Sequence, residues 1–158
     1  MATKTNAVRL IQQAGIPCRE AFYEFDEQDL SGVHAAQAIG MPEEQVFKTL
    51  VARGEKTGIN VFCIPVCCEL DLKKAAKAAG DKNMELVAVK ELLGLTGYIR
   101  GGCSPVGMKK PFPTVFHRTA ADLPTIMVSA GRIGRQVQCD PKDLLALLGA
   151  KTADIIVE

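Results

Sequence analysis

The sequence contains no tryptophan and has only two tyrosines, six phenylalanines and two histidines among its 158 residues. His34 and His117 are the only imidazole bases, and no carboxylate pair stands at a recognisable acid-base spacing. A conventional nucleophile-histidine-acid triad is therefore disfavoured.

The 19 lysines and arginines nearly balance the 18 aspartates and glutamates, for a net charge of +1. A broad positive surface for nucleic acid needs a larger excess, so any such contact must be local.

Long apolar runs are also missing. No segment approaches the ~18 to 20 apolar residues that cross a bilayer, and the first residues lack a signal-peptide core. We therefore expect a cytoplasmic protein without a membrane partner. No repeat, linker or low-complexity tract divides the chain, and a content of 47% hydrophobic and 23% charged residues is ordinary for a globular protein. We expect one domain over residues 1–158.

The cysteines lack the spacing of a metal site. The only cluster, residues 63–68, has no matched second pair and no nearby histidine. We expect no metal and no cofactor, and most cysteines should be small buried apolar residues. The six are Cys18, Cys63, Cys67, Cys68, Cys103 and Cys139.

Hydrophobic periodicity, capping residues and glycines predict alternating helices and strands. Helices are predicted at residues 4–14, 32–39, 71–79, 88–94 and 141–148. Strands are predicted at residues 18–25, 46–52, 59–65, 84–87, 97–100, 113–117, 125–129, 135–139 and 153–157. Residues 54–58 and 131–134 read as hairpin connections. Several hairpins mixed with single helices favour an α+β domain with a mixed, largely antiparallel sheet.

Glycine, proline and hydroxyl residues are concentrated in one loop, residues 101–110 (GGCSPVGMKK). Glycine lets a ligand approach the main chain, and Pro105 biases Ser104 toward an extended conformation. Such a loop can direct backbone N–H groups at an oxygen-rich ligand. Taken alone, its composition favours a tight surface turn and does not indicate a function.

Three further segments accompany the loop. Lys48 lies in an apolar strand, residues 46–51, and must either snorkel outward or face a polar cavity; a solvated position on an open sheet face is the general reading. Residues 125–134 form a strand that ends in small residues and two glycines. Residues 71–80 read as a helix that begins at Asp71 and ends at Gly80, with an ordinary solvated lysine face.

The order FKTL, ELDLKKAAKAAG, TGY, GGCSPVGMKK and SAGRIG, with these spacings, resembles the YbaK/EbsC family of Cys-tRNA(Pro) deacylases. That family is related to the editing domain inserted in bacterial prolyl-tRNA synthetases, and the resemblance covers essentially the whole chain. It implies a barrel-like sheet flanked by helices and a trans-editing enzyme. Such an enzyme hydrolyses an ester that a proline-shaped pocket fails to reject.

The resemblance also implies the site residues. Lys48 matches the family's signature lysine and is the expected catalytic residue. The expected substrate-binding residues are Tyr23, Thr49, Gly101, Gly102, Ser104, Pro105, Gly107, Ser129 and Gly131.

Two positions depart from the family's pattern. Gln136 stands where familiar relatives have aspartate, so no acidic catalytic role is assigned to it. Leu30-Ser31-Gly32 stands where a pocket aromatic is expected.

The family's proposed chemistry is substrate assistance, in which the cysteine's own thiol attacks its carbonyl while Lys48 and loop N–H groups stabilise charge. The implied partners are the cysteine-bearing acceptor end of tRNA(Pro) and prolyl-tRNA synthetase, and a monomer or weak dimer is expected. The candidates for phosphate contacts are Lys73, Lys74, Lys77, Lys109, Lys110, Arg132 and Arg135.

Several alternatives stay open at this point. Cys-tRNA(Cys) could be a second substrate, or the amino acid could be alanine, serine or threonine. The chain could also be a non-catalytic module that binds tRNA or the synthetase, or, more distantly, a small-molecule thiol-binding protein.

Overall fold

A computed structural model describes residues 3–158, and all structural statements concern that range. It contains five α-helices: α1 (Asn6–Gln13), α2 (Gly32–Ile39), α3 (Leu72–Ala79), α4 (Val89–Thr96) and α5 (Pro141–Leu148). The eight strands are β1 (Cys18–Phe22), β2 (Phe47–Gly54), β3 (Gly58–Pro65), β4 (Met84–Leu86), β5 (Thr114–His117), β6 (Ile126–Arg132), β7 (Arg135–Cys139) and β8 (Lys151–Ala153).

The strands form two sheets. One has three antiparallel strands in the order β1-β7-β6, and the other has five in the order β4-β2-β3-β5-β8. In the second sheet β2 pairs antiparallel with β3 and β4, whereas β5 pairs parallel with β3 and β8. A parallel bridge between Val46 and Met127 joins the two sheets where β2 begins. The predicted α+β domain with a mixed, largely antiparallel sheet is confirmed; within residues 3–158 the sheets do not close into a full barrel.

Local signals fix the helix ends. The Asp71 carboxylate accepts hydrogen bonds from the backbone N–H groups of Lys73 and Lys74, and Gly80 ends α3 in the left-handed conformation, with φ of 74°. Asp140, Pro141 and Gly149 bound α5 in the same manner. These predicted ends are confirmed. None of the helices in the described range is long and apolar enough to span a membrane.

Two strand predictions were wrong. Residues 97–100 form a turn, because Gly97 ends α4 with φ of 88° and the Gly102 N–H donates to the Ile99 carbonyl. At the carboxyl end the strand lies earlier than predicted, at Lys151–Ala153, because its partner is β5. Ile156 makes only an isolated bridge with Leu70.

Both faces of the five-stranded sheet are covered. Phe62 and Ile64 of β3 pack with Ala75 and Ala76 of α3 on one face. Val61 and Cys63 of β3 point to the opposite face. They belong to the cluster that contains Val8 of α1, Leu144 of α5 and Val128 of the three-stranded sheet. The alternation of β3 therefore places the five-stranded sheet between two apolar layers.

Candidate active site

A cavity of about 540 Å³ opens between the two sheets, beside β2. Ligand pockets commonly have volumes of roughly 300 to 1,000 Å³, so this one can hold a small organic group. Its wall is built from separate parts of the sequence: Tyr23, the start of α2 with the two residues before it, residues 46–51, Val66, residues 86–89 with Leu92, and Arg100, Gly101 and Cys103. Ser129 and Gln136 complete the wall from the three-stranded sheet.

The structure brings together half of the residues that the resemblance nominates. Five of the ten line this cavity: Tyr23, Lys48, Thr49, Gly101 and Ser129. The other five lie outside its wall: Gly102, Ser104, Pro105, Gly107 and Gly131. For those five, a direct contact with substrate stays a prediction. Their surroundings in the structure show how the glycine loop and the β6–β7 turn are packed.

The glycine loop is held from behind, since residues 102–106 are buried. A Cβ atom on Gly102 would lie 3.0 Å from the backbone nitrogen of Ile133, so the loop meets the β6–β7 turn at a distance that only glycine allows. The Ser104 hydroxyl is fully buried and accepts a hydrogen bond from the Val106 N–H at 3.2 Å. The loop is therefore a packed element and not an open surface turn.

Tyr98 connects the loop to β6. Its hydroxyl donates to the carbonyl of Val106, and its ring lies where side chains on two glycines would be. A Cβ on Gly131 would stand 3.0 Å from Tyr98 Cε1, and one on Gly107 would stand 2.8 Å from the hydroxyl oxygen. Gly107 and Gly131 thus let this aromatic ring lock the two turns together.

Lys48 and Arg100 are the charged residues of the cavity wall; no aspartate, glutamate or histidine of the described chain lines it. Lys48 is partly buried, and its side chain makes no hydrogen bond or ion pair within residues 3–158. The Lys48 and Thr49 side chains leave opposite faces of β2, yet all six residues from 46 to 51 reach the wall. The cavity therefore has a positive, carboxylate-free lining suited to an electron-rich ligand.

Two wall hydroxyls, those of Thr49 and Ser129, and the Cys103 thiol are poor nucleophiles. Ser129 Oγ accepts a hydrogen bond from the Gly131 N–H at 3.1 Å, and Thr49 Oγ1 lies 3.7 Å from the buried Cys63 sulfur. Burial raises the pKa of the Cys103 thiol to about 11, so this group is protonated at neutral pH. Without a base beside them, none of these residues forms an activated nucleophile.

Gln136 lies on β7, directly opposite Ser129 of β6. Its side chain is 6% exposed, and its buried Oε1 atom has no hydrogen-bond partner. A buried carbonyl oxygen without a donor costs free energy, which a ligand N–H or S–H group could offset. Gln136, where the resemblance led us to expect aspartate, thus lies in the cavity wall and carries a buried acceptor without a partner.

None of the seven lysines and arginines predicted to contact phosphate lines the cavity. Lys74 pairs with Asp154 at 3.1 Å, which ties α3 to the carboxyl-terminal segment. Arg135 pairs with Glu20 at 2.9 Å and stacks over Phe22. These two cations already have protein partners.

The wall residues that sequence reasoning did not nominate include Arg100, Cys103 and Gln136. Arg100 and Cys103 flank the first two glycines of the loop, and that adjacency was the available signal. Gln136 received no acidic catalytic role, because it stands where the resemblance leads us to expect aspartate. The start of α2, where an aromatic was expected, contributes Leu30, Ser31 and Gly32.

Comparison with known proteins gives consistent results. The model of the aminoacyl-tRNA editing domain matches residues 30–147. A protein of Enterococcus faecalis named "Putative Cys-tRNA(Pro)/Cys-tRNA(Cys) deacylase EbsC" is 45% identical over 152 residues, covering 96% of this chain and 93% of that protein. A proline–tRNA ligase of Burkholderia ambifaria is 28% identical over 102 residues, which are 62% of this chain and 18% of the ligase.

Solved structures agree with the sequence relatives. A crystal structure described as that of "a putative trans-editing enzyme for prolyl tRNA synthetase" has a TM-score of 0.80 and 29% identity, covering 99% of this chain and all of that one. The resemblance drawn from the ordered motifs is confirmed. The chain belongs to the aminoacyl-tRNA editing domain family.

Proposed function

We propose that this protein is a trans-editing deacylase that removes cysteine from mischarged Cys-tRNA(Pro). Membership of the editing family and the name of its relative in Enterococcus faecalis support the reaction class and the amino acid. The observation that carries the proposal is the cavity, whose wall contains Lys48 and part of the glycine loop and, among residues 3–158, neither an acidic residue nor a histidine. That lining suits a substrate that supplies its own nucleophile.

The cysteine thiol supplies that nucleophile. Its sulfur attacks the ester carbonyl, a C–S bond forms, and the bond from the carbonyl carbon to the ribose oxygen breaks. The thiol proton passes to the ribose oxygen, and water then opens the small cyclic thioester to give free cysteine. Lys48 favours the thiolate and stabilises negative charge on the oxygens, as fixed donors do at other acyl-transfer sites.

Gln136 positions the substrate in this scheme by accepting a hydrogen bond from the cysteine ammonium group. Gln136→Leu should raise KM for Cys-tRNA(Pro) by about 10- to 100-fold, since a hydrogen bond to a charged group contributes roughly 1.5 to 3 kcal/mol. Gln138→Leu is the matched control: Gln138 lies on the same strand, outside the cavity wall, and donates to Thr125 Oγ1. Equal KM values for the two variants would remove Gln136 from the substrate-binding residues.

The proposal also includes the binding partners, the place of action and the oligomeric state. The acceptor end of tRNA(Pro) would place the ester in the cavity, and prolyl-tRNA synthetase would deliver the charged tRNA, since the net charge of +1 gives little long-range attraction. The site of action would be the cytoplasm, with residues 1–158 as the editing unit and a monomer or weak dimer as the active form.

A panel of charged tRNAs tests the function. Purified protein should release cysteine from Cys-tRNA(Pro) well above the spontaneous rate and leave Ala-tRNA(Pro) largely intact, because alanine has no thiol. Cys-tRNA(Cys) in a parallel reaction shows whether the tRNA body is recognised. Equal loss of alanine and cysteine would indicate a water nucleophile, and no loss from any tRNA would favour a non-catalytic binding module.

A further inference from the structure

Four large apolar side chains are exposed within residues 86–99. Leu86 is 47% exposed, Val89 60%, Leu93 53% and Ile99 52%. Five other large apolar residues of the described chain are similarly exposed, and these are spread over the rest of it: Phe22, Phe25, Leu72, Leu147 and Val157. An apolar surface gathered in one stretch is typical of a binding surface.

This surface is continuous with the cavity. Leu86 and Val89 line the cavity wall, and Leu93 lies one helical turn beyond Val89 on the same side of α4. We call Leu86, Val89 and Leu93 the apolar rim. A ligand that is bound in the cavity and extends out of it past Leu86 and Val89 therefore contacts the apolar rim.

The fold holds the apolar rim in place. The Val87 N–H donates to the Val51 carbonyl at 3.0 Å, which fixes the end of β4 against β2. The Glu91 carboxylate accepts from the Ala88 N–H at 3.2 Å and pairs with Arg53 at 3.0 Å. The exposed side chains thus stand on a braced segment that also carries one wall of the cavity.

Arg100 adds a cation to the same cavity wall. Its side chain is exposed and makes no hydrogen bond or ion pair within residues 3–158. A guanidinium group presents a planar fork of donors that matches phosphate oxygens. The mouth of the cavity therefore combines an apolar surface with a cation available for an anion.

We propose that the apolar rim binds the adenine base of the terminal adenosine of the tRNA and that Arg100 binds the phosphate on the 5′ side of that nucleoside. This inference rests on the proposed function, since the aminoacyl ester in the cavity is attached to the ribose of that adenosine. The base must then lie just outside the cavity, where an apolar side chain can pack against its face. Every tRNA ends in the same adenosine, so this contact does not read the tRNA body.

Minimal substrates isolate the contact from the tRNA body and the synthetase. Val89→Asn should raise KM for 3′-O-cysteinyl-adenosine about 10-fold and change kcat less than about 2-fold, since it removes apolar contact with the base face and leaves the groups around the ester in place. Val157→Asn is the matched control, because Val157 is 46% exposed and lies outside the cavity wall. Arg100→Ala should raise KM only for the substrate that also carries a 5′-phosphate.

The competing occupant is the synthetase itself. If Val89→Asn leaves the minimal substrate unaffected and slows deacylation only when prolyl-tRNA synthetase is present, the apolar rim is a protein-docking surface and the inference is wrong.

Binding of adenosine 5′-monophosphate, followed by NMR, separates this inference from the proposed function. If the wild-type protein hydrolyses neither ester, the proposed function fails. Shifts of rim signals that Val89→Asn abolishes would still support the nucleotide site, and no binding by the wild-type protein would overturn it.

Discussion

Lys48→Ala is expected to lower kcat for cysteine release from Cys-tRNA(Pro) by about 100- to 1,000-fold, the loss typical when one fixed stabiliser of transition-state charge is removed. Lys48 and Arg100 are the cavity's cations, and no acidic side chain of the described wall balances them. Removing Lys48 would take away one of the two protein cations that can stabilise the thiolate and the developing oxyanion. The measurement is a single-turnover time course with protein in excess.

Two variants make that result specific. Lys142→Ala also removes one positive charge, but from the exposed side of α5, outside the cavity, and should retain the wild-type rate. Lys48→Arg retains a cation of different shape and should fall between the wild-type and alanine rates. Wild-type activity in folded Lys48→Ala would remove Lys48 from the catalytic residues, whereas equal losses in both alanine variants would indicate a general charge effect.

The second large effect is expected from the substrate. Replacing cysteine by serine on tRNA(Pro) should slow deacylation by at least about 100-fold, because an alcohol is ionised far less often than a thiol with a pKa of about 8.5. S-methylcysteinyl-tRNA(Pro), which has no ionisable thiol, should decay at the spontaneous rate. Rapid loss of either ester would show that water is the nucleophile.

The pH profile provides an independent check on the thiol. The rate should rise with pH as the bound thiol ionises, and it should level off below pH 8.5 or so if Lys48 lowers the pKa of that thiol. The described cavity wall has no histidine, and the buried Cys103 thiol, with its pKa raised to about 11, stays neutral over this range. A profile that falls as pH rises would contradict thiolate attack.

Features that depend on short-range chemistry were predictable from the sequence. Asp71 and Gly80 bound α3 as expected, because a carboxylate that accepts backbone N–H groups and a left-handed glycine act within one helical turn. The β2–β3 hairpin follows from two apolar runs around a glycine-bounded turn.

Features that depend on distant partners were not predictable. Residues 97–100 have strand-like composition, yet the Tyr98 side chain packs between two glycine turns and its backbone follows a helix end. The carboxyl-terminal strand is set by pairing with β5, so its start at Lys151 could not be read from local periodicity.

Some residues of the candidate site were predictable from the sequence, and others became visible only in the structure. The ordered motifs led to Lys48 and Gly101, and the family resemblance led to Tyr23; all three line the cavity. The same motifs include Gly102, whose neighbours show packing against the β6–β7 turn, and only the structure separates the two kinds of glycine. The buried, unpartnered acceptor of Gln136 arises from sheet pairing and burial, neither of which the sequence displays.

The most direct test of the account is the rate at which radiolabelled cysteine leaves Cys-tRNA(Pro) with the wild-type protein in excess and no synthetase present. The account predicts release at least about 100-fold faster than spontaneous hydrolysis, which corresponds to about 2.7 kcal/mol of barrier lowering. Release at the spontaneous rate from a folded protein that still binds the charged tRNA would contradict it.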